Sequence, residues 1–486
     1  MLTKLTDICF KKNTLHFIAV AILIFVAGLS LMTLTTKPRL WIDEGLSLEL
    51  VRNFLDSSHL DIQISPEHLS GFPELLQATG YPVTLSLALF LKLFSFGAVQ
   101  ARLFMLMWMI GVLIFAYFLA KKFFNERTAL YSLALIATFA TFHAIGRTVT
   151  GEIPGFLLLL IGIYYWLEKK QYYVAGFFWG LAVVAKPSVF ILIIPTIFLV
   201  LLFERKEFFK KIFKIGLAMI PSAALWIFIV LNHPFVLSTW QKLGNFYKNP
   251  YDSSISENVI RNLLMIPKST TFIYFGFLFL FILAARYFLS EPKLKSVYNF
   301  VIIYTGFAFI YYLRSPGWMR YLLIAELLIL FVLPHAVMVV NDLLKKRLGE
   351  KYKTKALDIF LCLLICIQTF QFFTEAQIVS SDSPVKTAEY LNSNFSTSSI
   401  AVFKILEVTA FLNTPLRYNI LDLTGIPKSD PNFVFDKNSP EIVVSEITND
   451  DFIFVKSIID SKYEKINQIG KYSIFKLKVK NGPIEN

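Results

Sequence analysis

Two carboxylates stand side by side in Trp41-Ile42-Asp43-Glu44, a few residues beyond an uncharged run from Leu15 to Leu34. An isolated Asp-Glu pair is most often a solvated loop. The neighbours here are partly apolar, however, and a carboxylate held away from water at a membrane surface has the desolvated setting that raises its pKa toward that of a working base. Further charged residues recur beside apolar runs: Arg102, Arg147, Glu152, Lys186, Arg314 and Arg320. A base accompanied by cations can move a proton while neighbouring positive charge stabilises a developing anion.

The elements that must hold these residues are membrane helices. Of 486 residues 56% are hydrophobic and 17% charged, a balance that suits lipid rather than water as the solvent. The net charge of +13 is not a nucleic-acid signature, because the basic residues form short clusters between apolar runs instead of a patch interleaved with aromatics. Cys9, Cys362 and Cys366 offer neither a zinc framework nor a disulfide framework. Leu15 to Leu34 is long for a signal-peptide core and has no small-residue cleavage site after it, so it reads as a retained first span.

Placing the basic clusters on the cytoplasmic side sorts the loops consistently. Lys11/Lys12, Lys121/Lys122/Arg127, Lys169/Lys170, Arg205 to Lys214, Lys293/Lys295 and Lys345 to Lys355 fall inside, with the intervening loops outside. This predicts a multi-pass protein of the cell membrane with its N-terminus cytoplasmic. About 11 spans result, beginning near residues 15, 103, 128, 153, 172, 188, 212, 269, 297, 321 and 357. The apolar stretch Pro82 to Phe96, short and carrying Lys92, is placed along the outer surface. Residues 1–373 then form the transmembrane domain, with outer loops at 37–102 and 232–268. Residues 374–486 turn polar, with strand-like runs at Ile400 to Phe403, Glu441 to Ser445 and Tyr472 to Leu477, and read as a small extracytoplasmic α/β domain.

The layout over roughly residues 15 to 340 resembles the GT-C superfamily of membrane glycosyltransferases, in its branch of protein O-mannosyltransferases and lipid A aminoarabinose transferases. The resemblance rests on Asp43-Glu44 after the first span, Gly80-Tyr81-Pro82, an apolar helix ending Leu93-Phe94, Arg102-Leu103 and Lys121-Lys122-Phe123-Phe124, in that order. Arg147 followed by Glu152, where relatives usually have Asp, and Arg320-Tyr321-Leu322-Leu323 add to it. Tyr81-Pro82 departs from the family, many members of which have His-Pro-Pro or Lys before the proline.

The resemblance implies a polytopic α-helical GT-C fold and sugar transfer from a polyprenyl-phosphate donor to a protein, lipid or glycan acceptor, with inversion. Asp43 is then the candidate base, and Glu44 and Glu152 orient acceptor or sugar. Arg102, Arg147, Lys186, Arg314 and Arg320 would neutralise the donor phosphate, arginine being suited to bidentate contact. His233 would join Glu44 or Glu152 on a divalent cation, as in aminoarabinose transferases. Plainer readings stand beside these. Lys186 before Pro187 is equally a snorkelling lysine, Arg314 and Arg320 mark a helix end among lipid headgroups, and a lone histidine is more often structural. Trp240, Phe246, Tyr247 and Tyr251 fit an interfacial aromatic belt better than a sugar platform. Asp422, in Leu421-Asp422-Leu423-Thr424-Gly425, reads as a turn residue.

A transporter or flippase is the competing class. It would show inverted halves and charges buried at mid-span, whereas these charges gather at the outer ends of helices.

Overall fold

The computed structural model describes residues 12–71, 79–231, 235–248, 253–348, 355–374, 381–420, 433–446 and 450–478. Its long apolar runs form helices because only a helix satisfies all of its own backbone polar groups within hydrocarbon. Among the described residues seven helices, from Thr14–Met32 to Met319–Lys345, are long and apolar enough to cross a membrane. The pair Glu126–Thr138 and Ala140–Gly146, bent by 64°, makes an eighth if counted as one span. The other three predicted spans fall on the shorter apolar helices Glu152–Leu167, Tyr172–Ala185 and Asp358–Thr374, and the predicted surface helix falls on Tyr81–Phe94. The chain is a multi-pass membrane protein, and by helix length and composition seven or eight spans lie among the described residues.

The chain divides into two compact units. The first comprises Met1–Leu34, Leu103–Trp226 and Tyr251–Ile378; the second comprises Thr35–Arg102, Ile227–Pro250 and Val379–Asn486.

In the first unit the helices are clasped by small residues and by a few polar contacts, as expected where lipid is no less apolar than leucine. A Cβ on Gly151 would lie 1.9 Å from the Ala185 carbonyl oxygen. Only glycine therefore lets the start of Glu152–Leu167 approach the end of Tyr172–Ala185 this closely. Thr138 Oγ1 donates to Gln368 Oε1 at 3.1 Å, and Gln368 Nε2 donates to the Tyr274 hydroxyl at 3.1 Å, linking three helices.

The second unit is built on a mixed five-stranded sheet of order β4-β3-β5-β7-β6. The strands are β3 (Ile400–Phe403), β4 (Arg417–Ile420), β5 (Ile442–Glu446), β6 (Tyr463–Ile469) and β7 (Tyr472–Leu477). β3 runs parallel to β4 and β5, while β7 is antiparallel to β5 and β6. The strand period of two splits the side chains into two cores. Ala401, Phe403 and Val443 pack with Val455 and Ile459 of helix Asp450–Lys462 on one face. Ile400, Val402 and Val444 pack with Ala388 and Leu391 of helix Ser383–Phe395 on the other. The three predicted strands are the three inner ones.

The same unit contains the segment Thr35–Arg102. Helix Ile42–Ser57 is followed by the hairpin β1 (Gln63–Ser65) and β2 (His68–Leu69) and by helix Tyr81–Phe94. Leu46, Leu50 and Ile62 bury together with Leu406. Residues near 45 and residues near 406 therefore share one core.

Candidate active site

Helix Ile42–Ser57 starts directly at the acidic pair. Trp41 is extended and its carbonyl accepts from the backbone N–H groups of Glu44 at 3.1 Å and Gly45 at 3.0 Å. Asp43 and Glu44 thus occupy the first turn, where the helix dipole favours negative charge. Asp43 is half-buried and Glu44 is buried.

Glu44 is held by a two-pronged ion pair. Arg102 donates from Nε to Oε1 at 3.0 Å and from Nη2 to Oε2 at 2.8 Å, and neither side chain exposes any surface. A fork of this kind fixes direction as well as distance. Of the two predicted roles nearby, the arrangement makes Arg102 a partner of Glu44, so that the pair holds the turn from which Asp43 projects.

The following turns of the helix lie against the C-terminal sheet domain. A Cβ on Gly45 would lie 2.2 Å from the Glu407 backbone nitrogen, so this position has room for glycine alone. One turn on, Glu49 is wholly buried between two guanidinium groups. Arg52 Nη2 lies 2.6 Å from Oε2 and Arg417 Nη2 lies 3.0 Å from Oε1. Arg52 Nη1 also donates to the carbonyls of Thr409, Ala410 and Leu412 at 2.8–3.1 Å. Asn53 Nδ2 reaches the Asp61 carbonyl at 2.9 Å, and Asn419 Nδ2 reaches that of Gln63 at 2.6 Å. Burial pushes the Glu49 carboxyl up, but Arg52 and Arg417 outweigh it and hold the group below the usual carboxylate range.

The remaining predicted cations lie in the first unit. Lys186, between helices Tyr172–Ala185 and Pro187–Phe190, places Nζ 3.5 Å from Glu152 Oε1, with both side chains buried. The close approach at Gly151 brings these two positions together. The second oxygen of Glu152 is buried and finds no hydrogen-bond partner among the described residues, which marks it as an acceptor awaiting one. Arg147 is buried and donates from Nη1 to Thr33 Oγ1 at 2.5 Å and from Nε to the His143 carbonyl at 3.3 Å. Arg320 is stacked on aromatic rings, its guanidinium 4.9 Å from the Trp318 centroid and 5.7 Å from that of Tyr321. Arg314 ends helix Pro292–Arg314, and its carbonyl accepts from Asn258 Nδ2 at 3.2 Å.

Sequence reading overlooked the residues that set these positions. Asn262 Nδ2 donates to the carbonyls of Tyr312, Leu313 and Ser315 at 2.8–3.2 Å, tying down the turn between Arg314 and Arg320. Their signal was slight: two asparagines four residues apart on a helix, Ile255–Met265, that also carries Ser256, Glu257 and Arg261. Arg52, Glu49 and Arg417 were likewise hidden among ordinary surface-type residues.

His233, Tyr251 and Asp422 lie outside the described residues, and Trp240 is exposed on helix Leu237–Lys248. Among the described residues no group of three or more His, Cys, Asp or Glu is placed to hold a metal ion. Glu44 gives both oxygens to Arg102, and Glu152 gives one oxygen to Lys186.

Residues 82–231 match the family model described as dolichyl-phosphate-mannose-protein mannosyltransferase. No curated protein matches the chain by sequence. Among solved structures it is similar to ArnT from Cupriavidus metallidurans bound to undecaprenyl phosphate. The identity is 12%, with 96% of this chain and 98% of that one covered, at a TM-score of 0.65. It is also similar to the Archaeoglobus fulgidus oligosaccharyltransferase tethered to an acceptor peptide, at 13% identity, covering 94% of this chain and 73% of that one, with a TM-score of 0.53.

Proposed function

Because the chain has the fold of the GT-C membrane glycosyltransferases, we propose that it moves a sugar from a polyprenyl-phosphate-linked donor to a protein, lipid or glycan acceptor on the extracytoplasmic face. The observation that supports this best is the buried Glu44–Arg102 fork, which fixes the helical turn carrying Asp43. A general base is effective only when its geometry is held by its neighbours.

In the proposed reaction the acceptor hydroxyl oxygen attacks the anomeric carbon and its proton passes to Asp43. The bond from the anomeric carbon to the phosphate oxygen breaks, and the electron pair leaves with polyprenyl phosphate, inverting the centre in one displacement. Arg147, Lys186, Arg314 and Arg320 are assigned to the donor phosphate, where preorganised cations stabilise the leaving charge. Glu152, with one oxygen on Lys186 and the other without a partner, is assigned to orienting a sugar or acceptor hydroxyl. Arg102 positions Asp43 through Glu44. The ArnT complex with undecaprenyl phosphate lends support to a donor of this chemical class.

The test is a panel of labelled polyprenyl-phosphate sugars given to the purified protein in detergent or vesicles. Consumption of one donor with release of polyprenyl phosphate is expected. Failure to turn over any hexosyl or pentosyl donor, with membrane extract supplied as acceptor, would contradict the proposal.

A further inference from the structure

A cavity of about 660 Å³ opens in the first unit, and none of the residues assigned to the proposed chemistry lines it. It is formed where the loops after Leu167, Glu204 and Phe288 meet, so it sits at the ends of the apolar spans Pro187–Glu204, Thr270–Phe288 and Pro292–Arg314. Lys293 Nζ lies 4.9 Å above the Phe123 ring, which places the cavity at the same end as the Lys121/Lys122 cluster.

Its wall is strongly cationic. Lys170, Lys206, Lys211, Arg286, Lys293 and Lys295 line it, against the two carboxylates Glu204 and Glu207. Both carboxylates are already paired, Glu204 with Lys211 at 2.9 Å and Glu207 with Lys210 at 3.6 Å. Lys293 pairs with Glu168, and Arg286 donates to the neutral Asn299 amide oxygen. Lys170, Lys206 and Lys295 make no ion pair among the described residues. Three uncompensated ammonium groups on one concave wall attract an anion.

The rest of the wall says which anion. Trp166, Tyr172 and Phe203 line the same cavity, and Phe203 is 64% exposed at the end of a span whose outer face continues through exposed Leu202 and Phe198. A soluble phosphate would use the lysines and leave this apolar wall idle. A lipid uses both, with its phosphate among the lysines at headgroup depth and its acyl chains along the Phe203 face.

We propose that this cavity binds the headgroup of an anionic phospholipid. The test uses the full chain purified in detergent, with native mass spectrometry and thermal unfolding read in the presence of phosphatidylglycerol, phosphatidylcholine or inorganic phosphate. Phosphatidylglycerol is expected to stay bound and to raise Tm, with phosphatidylcholine and inorganic phosphate giving little of either effect. The triple variant Lys170→Gln, Lys206→Gln, Lys295→Gln should fold normally, since these side chains hold no partner, and should bind phosphatidylglycerol about 100-fold more weakly. Lys295→Glu alone should weaken it in the same direction. Unchanged lipid retention in the triple variant would overturn the proposal. Equal retention of phosphatidylcholine, or equal protection by inorganic phosphate, would overturn it as well, the second by showing a free-anion site.

Discussion

Arg417, the first residue of strand β4, closes on Glu49 of the Asp43 helix with Nη2 3.0 Å from Oε1. The C-terminal sheet and the helix Ile42–Ser57 thereby share a buried charge cluster, and the helix that carries Asp43 depends on residues at the other end of the chain. Removing one side of a buried pair strands the other charge, which costs about 3–5 kcal/mol. Glu49→Leu should therefore destabilise the second unit by at least this order, because it leaves both Arg52 and Arg417 buried without a carboxylate, while Arg417→Met, which leaves Glu49 paired with Arg52, should cost less. Chemical denaturation of the three proteins, followed by a tryptophan signal, measures it.

The same cluster gives a pH dependence. The Glu49 carboxyl is held below its unfolded value by the two arginines, so its contribution is present above the ordinary carboxylate range and is lost as pH falls through the depressed folded value. Glu407 is the opposite case, because burial raises its carboxyl although Tyr472 donates to it at 2.9 Å. Its charged form is disfavoured at neutral pH and relieved as pH falls. Glu407→Gln should accordingly be more stable than the parent at pH 7, and the advantage should shrink on acidification. Melting temperatures of both proteins across that range check the sign.

Gly45 tests the approach of the helix to the sheet domain directly. A methyl group there meets the Glu407 backbone nitrogen at 2.2 Å, and backbone cannot swing aside as a long side chain would. Gly45→Ala should cost about 1–3 kcal/mol. If the loss reaches function through the position of Asp43, kcat should fall while donor binding stays near normal.

The inner strands were legible as apolar runs, and β4 and β6 were not, for one physical reason. Both are edge strands, and an edge strand carries polar residues. In β4, Tyr418 and Ile420 enter the sheet core, while Arg417 and Asn419 turn to Glu49 and to the Gln63 carbonyl. A buried polar face leaves no periodic trace in sequence. The acidic pair, by contrast, was conspicuous because it follows a span directly. What its spacing did not reveal is that Glu44 is consumed by Arg102, since two residues far apart in the chain carry no mark of pairing.

The orientation proposed from the basic clusters, with the N-terminus cytoplasmic, is open to a direct test. Reporter fusions placed after Lys122 and Lys170 are expected to read cytoplasmic, and one after Asn486 extracytoplasmic. A cytoplasmic reading at Asn486 contradicts this arrangement.

Arg320 is assigned to donor binding, and its side chain is held by stacking on Trp318 and Tyr321. Arg320→Ala removes a charge-assisted contact of about 1.5–3 kcal/mol. The Kd for polyprenyl-phosphate sugar should rise about tenfold or more. Arg320→Lys should recover only part, because an ammonium group cannot reproduce the bidentate fork.

The most direct measurement is transfer by Asp43→Asn, a change that keeps shape and removes basicity. Loss of a positioned general base lowers the rate by about 100-fold or more, while donor binding, assigned to the cations, should remain. Single-turnover transfer and donor affinity measured on the same folded preparation separate the two. The expected result is slow chemistry with a near-normal donor Kd. Near-normal transfer by Asp43→Asn, especially if Glu152→Gln abolished it instead, would contradict the assignment of Asp43 as the base.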